Sequence, residues 1–207
     1  MTKMNRKIST LILSLFALPA LLLVGCGDDR ISHVILETSH GNIEIAIYNE
    51  KAPISAADFL YYVDNGLYDG EGFYRAVRPQ TDPRGLNMEI IQGGLLGMET
   101  VTATIEHETT QVTGLSHTDG AISIARDEPG TGSAAYFFIS IGDNTELDFG
   151  GERNPDGQGY AVFGKVIKGM DVVRAIQMSD TGAISDDAIT QGQMLTKPVI
   201  IVKAKRK

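Results

Sequence analysis

From residue 67 to 165 short apolar runs are cut again and again by glycine-rich turns, and this punctuation limits the possible folds more than any other feature. Candidate strands fall at 72–77, 88–93, 120–125, 135–141 and 160–166. Runs of this length between turn residues suit strands and are too short for helices that must bury a face. Twenty-three glycines in 207 residues keep the turns frequent. The chain is long enough for one ordinary domain and too short for two comfortable ones.

The flanks agree with a β-rich domain. In "HVILETSHGNIEIAIY", Ile43, Ile45 and Ile47 alternate with Glu44 and Ala46 on the far side of a Ser39-His40-Gly41-Asn42 turn, which predicts a hairpin with one buried face. "APISAADFLYYVDNG" carries Phe59, Leu60 and Val63 at helical spacing. Ser55 is its candidate N-cap, Pro53 lies nearby and Asn65-Gly66 is a stop, so a helix is expected at about 55–64. A second short helix is expected at 169–177, from Val172, Val173 and Ile176, and "PVIIVKAK" at 198–205 reads as a closing strand. "RPQTDPRGLN" (78–87) and "GGERNPDGQG" (150–159) read as loops. Strands framed by two helices predict a closed β-barrel capped by those helices.

The first 25 residues stand apart. Lys3, Arg6 and Lys7 precede an apolar run from Leu11 to Val24, interrupted only by Ser14 and Pro19 and ending in Leu23-Val24-Gly25-Cys26. This is a secretory signal architecture. Its last four residues resemble a bacterial lipobox, in which the cysteine becomes the lipidated first residue of the mature protein. The competing reading, an uncleaved membrane anchor, needs a longer span and leaves the cysteine unexplained. The expected organisation is a signal peptide at 1–25, a lipidated tether at 26–32 and one folded domain at 33–207. Cleavage removes three of the 18 basic residues and none of the 26 acidic ones, taking the formal charge from −8 to −11. Such a chain is expected to bind no nucleic acid. It would attach to a membrane through its lipid rather than by charge, in the bacterial envelope, facing the periplasm or the exterior.

Familiar catalytic equipment is missing. Cys26 is the single cysteine, so the folded domain has no disulfide, cysteine-based zinc site or cysteine nucleophile. His107-Glu108 lacks the second histidine of a zincin, because position 111 is glutamine. No nucleophile elbow, P-loop or dinucleotide fingerprint occurs, and the spaced acids of 143–148 lack the rest of a calcium loop. No metal and no cofactor are expected. What remains is Arg75, a charge among apolar neighbours in "GEGFYRAV". Such a residue needs a partner or a task.

Several blocks occur in order: Phe73-Tyr74-Arg75-Ala76-Val77, Ile91-Gln92-Gly93-Gly94, Ile122-Ser123-Ile124-Ala125-Arg126, Phe137-Phe138-Ile139 and "GYAVFGKVIKGMDVV" at 159–173. Over residues 33 to 205 the chain resembles the cyclophilin family of peptidyl-prolyl cis–trans isomerases. The resemblance implies a mainly β fold, a closed eight-stranded antiparallel barrel capped by two α-helices. It also implies rotation of X-Pro bonds in proline-containing polypeptides during folding, by a monomer. The alternative on the same fold is a non-catalytic proline-peptide-binding or chaperone module.

The same resemblance implies roles. Arg75 is the catalytic arginine and Gln92 the residue that positions it, against the plainer reading of a structural salt bridge and a polar barrel residue. Phe138 is the floor of a proline pocket or an ordinary core aromatic. Ile90, Ile124 and Leu147 are apolar walls that could equally be core. Ala125 and the backbone of Arg126 are the edge that bonds extended peptide. Phe73 is expected on the same face as Arg75, two residues away on one strand. Tyr136 and Tyr160 complete the groove, and Tyr160 keeps an aromatic edge where the family has histidine. Departures are Tyr74, Glu89, Arg126, Tyr136 and Glu146, together with the long connection at 78–87. If Glu89 occupies a pocket position, with Met88 as the alternative, then Glu89 and Glu146 make the rim acidic, and basic residues beside the proline are favoured.

Overall fold

The computed structural model describes residues 30–97, 102–185 and 187–207. The expected signal peptide, Cys26 and most of the tether lie outside these residues. Eight strands close into one barrel: β1 (Ile31–Thr38), β2 (Gly41–Tyr48), β3 (Gly72–Val77), β4 (Ile90–Gly94), β5 (Ala121–Ile124), β6 (Tyr136–Ser140), β7 (Ala161–Lys168) and β8 (Met194–Arg206). The order around the barrel is β1-β2-β7-β5-β6-β4-β3-β8, and every neighbouring pair is antiparallel. Helices α1 (Pro53–Asp64) and α3 (Met170–Gln177) match the two expected ones, and a one-turn α2 (Thr110–Thr113) is added. The barrel is the form in which so many short strands leave no open sheet edge.

Alternation sorts the side chains. Ile43, Ile45, Ile47, Phe73, Ile91, Phe137, Ile139 and Phe163 fill the interior. Phe59 of α1 lies against Phe137 edge-on at 5.5 Å and against Phe163 at 5.1 Å. Each such aromatic buried stabilises the fold by about 1.5–3 kcal/mol. The neighbouring residues in sequence turn outward and build a second, smaller cluster: Val77, Met88, Ile90, Phe138 and Leu147, with Ala125 and Tyr160 packed on it.

Two local features differ from the sequence reading. The helix α1 begins at Pro53, and no side chain of the preceding residue caps it. Instead the carboxylate of Glu108 accepts from the backbone N–H groups of Ile54 (3.1 Å) and Ser55 (2.7 Å) and from the Ser55 hydroxyl (2.7 Å). Ser55 is therefore inside the first turn rather than its N-cap. The second feature is in β3. Phe73 stands opposite Gly93 of β4, but Arg75 stands opposite Gln92, so Tyr74 is one residue too many. The pairing with β8 breaks at the same place, jumping from Val199 to Met194. Such a bulge resets the alternation.

Candidate active site

Beyond the bulge, Arg75 and Val77 face out of the barrel while Ala76 turns in. Arg75 opens on a cavity of about 270 Å3, whose walls include Met88, Ile90, Gln92, Ala125, Arg126, Tyr136, Phe138, Leu147, Arg153 and Tyr160. Eight of these were expected from the sequence; Met88 was the stated alternative to Glu89, and Arg153 was not foreseen. Phe138 and Leu147 are buried beneath it, and Tyr160 meets Phe138 edge-on at 5.2 Å. Behind the Phe138 ring the imidazole of His117 is stacked at 5.7 Å. The Tyr136 hydroxyl donates to the Gly97 carbonyl at 2.8 Å, fixing one end of the groove.

Arg75 is held by neutral partners. Its Nε donates to Gln193 Oε1 and its Nη1 to Gln92 Oε1, both at 2.8 Å. Gln92 Nε2 donates in turn to the Tyr74 hydroxyl at 3.0 Å, and Gln193 Nε2 to the Thr81 carbonyl at 2.5 Å. No carboxylate forms an ion pair with Arg75 among the described residues. The structural salt bridge that competed with a functional reading is thus absent there. Burial lowers the Arg75 pKa, and the positive charge of Arg153 acts in the same direction. A guanidinium still keeps its proton at neutral pH. Burial pushes the Tyr74 phenol up to about 12, so it stays neutral.

The two loops read as plain connections form the rim. Asp82 Oδ1 accepts from Arg84 N–H (3.2 Å) and Oδ2 from the N–H groups of Leu86 (3.0 Å) and Met88 (3.3 Å), and Oδ1 also meets Arg153 Nη1 at 3.0 Å. The 78–87 loop is thereby folded around one carboxylate and locked to the 150–159 loop, with Met88 delivered to the cavity. Arg78, at the base of the same loop, donates to the carbonyls of Gln177 and of Ser179 (2.7 Å), satisfying the C-terminal end of α3. Arg126 bonds both oxygens of Asp156 (2.9 and 3.0 Å) and the Gly159 carbonyl, and lies 5.3 Å from the centre of the Tyr160 ring.

Four expectations are corrected. Phe73 does not share the face of Arg75: the bulge at Tyr74 turns it into the barrel, where it is fully buried against Phe137. Ile124 also belongs to the barrel interior rather than to the groove wall. The N–H of Ala125 is not free for a peptide, because it donates to the Tyr136 carbonyl at 2.9 Å. The acidic rim is not there. Glu89 turns toward α3 and accepts from Gln177 Nε2 at 3.0 Å, while Glu146 lines a separate open cleft beside Gly85 and Asn87. Two residues were missed, Gln193 and Arg153. Both lie in loops without periodicity, and only the closed fold brings them to Arg75.

The family model for cyclophilin type peptidyl-prolyl cis-trans isomerase/CLD matches residues 33–206. Peptidyl-prolyl cis-trans isomerase A of Dickeya dadantii is 35% identical over 178 residues, 84% of either chain. A peptidyl-prolyl cis-trans isomerase of Acinetobacter baylyi is 42% identical over 149 residues, 69% of this chain and 70% of that one. In fold the chain is similar to a crystal structure of a Cryptosporidium parvum cyclophilin type peptidyl-prolyl cis-trans isomerase in the presence of the dipeptide Ala-Pro. The TM-score is 0.64 at 20% identity, covering 84% of this chain and 98% of that one.

Proposed function

The chain belongs to the cyclophilin-type family and is a peptidyl-prolyl cis–trans isomerase; from that premise we propose that Arg75 is its catalytic cation and that it works outside the cytoplasm, held to a membrane by a lipid on Cys26. The observation that carries the first part is that two glutamines hold Arg75 at an apolar-floored cavity, with no carboxylate ion-paired to it among the described residues.

The chemistry needs little else. Amide resonance sets a barrier of ~18–20 kcal/mol to rotation. As the bond twists, the prolyl nitrogen loses conjugation and becomes a basic, pyramidal acceptor. A guanidinium held at that nitrogen, or at the adjoining carbonyl, favours the twisted state over the planar one. The Phe138, Leu147 and Met88 surface takes the proline ring out of water, and Tyr160 closes its edge. Gln92 and Gln193 hold Arg75 in one rotamer, so that no reorganisation is needed when charge develops. Polypeptides containing proline are the substrates, and one copy of the chain carries the whole cavity.

A protease-free isomerisation assay on an X-Pro peptide tests the catalytic part. The expected result for Arg75→Ala is a folded protein whose rate falls by about 100-fold; an unchanged rate overturns the assignment. The membrane part rests on the basic start, the apolar run and the Leu23-Val24-Gly25-Cys26 end. The mature protein is expected to begin at Cys26 with acyl mass on that residue, and Cys26→Ala is expected to carry no acyl mass. A mature protein without acyl mass on its first residue speaks against the lipid.

A further inference from the structure

We propose that the cavity selects polypeptides with Asp or Glu beside the proline, and that Arg153 is the residue that reads them. The proposal rests on the assignment of this cavity as the proline site. Among the described residues three arginines line it, Arg75, Arg126 and Arg153, with Asp127; Arg126 is paired with Asp156 and Arg153 with Asp82, and Arg75 with no carboxylate.

The three arginines are not equivalent. Arg126 is spent: it holds both oxygens of Asp156 and a carbonyl. Arg75 is engaged with two neutral glutamines and keeps its charge for the reacting amide. Arg153 uses only Nη1, on Asp82 Oδ1 at 3.0 Å, and that carboxylate is already shared with three backbone N–H groups. Its side chain is 7% exposed, so it is fixed rather than trailing in solvent. Its Nε and Nη2 make no hydrogen bond among the described residues, yet they are not sealed from solvent, and the residue lines the cavity. Two free donors on a fixed, buried-sided guanidinium match the two oxygens of a carboxylate.

Arg153 also stands close enough to Arg75 for its charge to weigh on that group. Arg75 has no carboxylate partner among the described residues and Arg153 keeps two donors beside its pair with Asp82, so an anion entering there gains charge-assisted hydrogen bonds. A basic residue on the substrate meets the unpaired charge of Arg75 as a like charge instead. The loops explain why this chain has the feature: Arg153 comes from the 150–159 loop and is locked by Asp82 of the long 78–87 loop.

The test is a peptide series with Glu, Ala or Lys on either side of the proline, assayed with the full chain. The expected kcat/KM ratio of the Glu to the Lys peptide is about tenfold at low ionic strength, as for a hydrogen bond to a charged group. It should shrink toward unity at ~1 M salt, where the screening length is ~3 Å. In Arg153→Gln the ratio should collapse, while Arg153→Lys should retain a preference for Glu. Equal rates on all peptides, or a preference for Glu that survives in a folded Arg153→Gln, overturns the proposal. If Arg153→Gln does not fold, the salt series on the unaltered chain decides: a ratio that ignores salt counts against Arg153. Failure to isomerise any peptide, the Ala one included, removes the assignment of the site instead.

Discussion

At the scale of single residues, the site turns on what Arg75 touches. A carboxylate partner would hold the guanidinium as firmly as the glutamines do but would cancel its charge. Gln193 is fully buried and reaches Arg75 from 118 positions away in the sequence. The expected outcome for Gln193→Glu is therefore a less stable enzyme, because a carboxylate cannot donate to the Thr81 carbonyl, that keeps the contact with Arg75 Nε and loses kcat by about tenfold or more, with KM less affected. Gln193→Ala should lower kcat and also destabilise the fold by about 1–3 kcal/mol, because Arg75 Nε and the Thr81 carbonyl lose their partner. If Gln193→Glu is as fast as the parent, the glutamine is structural only. Arg75 and Gln92 were legible in the sequence because they sit in motifs. Phe73 was misplaced because alternation counts residues two by two, and nothing in Phe73-Tyr74-Arg75 announces that Tyr74 is an insertion.

At the scale of elements, the strands and both main helices follow from their apolar spacing, but their ends are fixed from elsewhere. Glu108 supplies the acceptor for the first turn of α1 across 53 residues. Three donors depend on it, so Glu108→Ala should lower stability by about 2 kcal/mol, near the upper end for a lost cap. The drop should appear in denaturant midpoints, with isomerase activity per folded molecule retained; no drop would mean that water replaces the carboxylate at no cost. Local sequence could not reveal this cap, since the donor set and the acceptor meet only when the loop before α2 lies over α1. The 78–87 loop is similar. Its composition reads as a turn, and only the four donors that converge on Asp82 make it a fixed wall.

At the scale of the whole molecule, the weak point is acid. His117 is buried, its Nδ1 is 2.6 Å from Asp148 Oδ1, and its Nε2 has no partner among the described residues. Desolvation lowers its pKa below the ordinary 6.5, outweighing the Asp148 carboxylate that favours the charged ring. The neutral ring donating from Nδ1 fits these contacts. In the unfolded chain the same histidine takes up a proton below about pH 6.5, so acid favours unfolding through it. Asp148 is held below 3.8, because its bonds to His117 and Ser116 outweigh burial, and its contribution is lost at still lower pH. Stability should be flat above pH 7 and fall as pH drops from 6.5 to 5, with His117→Gln flattening that fall. A denaturation midpoint independent of pH over this range would contradict the neutral assignment. The family and the barrel were legible at this scale because the motifs occur in the right order, whereas the pairing of charges around the cavity was not. That pairing is made across the fold, Asp156 with Arg126 and Asp82 with Arg153, while Glu89 turns away to Gln177.

The barrel is shut by β8, which pairs with β3 at its start and with β1 along its end. A chain synthesised from its N-terminus therefore carries an unpaired flank on β1 until residue 206 has emerged. Every helix and every other strand can be in hand before that moment, but the sheet cannot become continuous. During synthesis the molecule is thus an open ribbon with two sticky borders, and its exposure to wrong partners ends abruptly, with one late stretch of chain rather than by degrees.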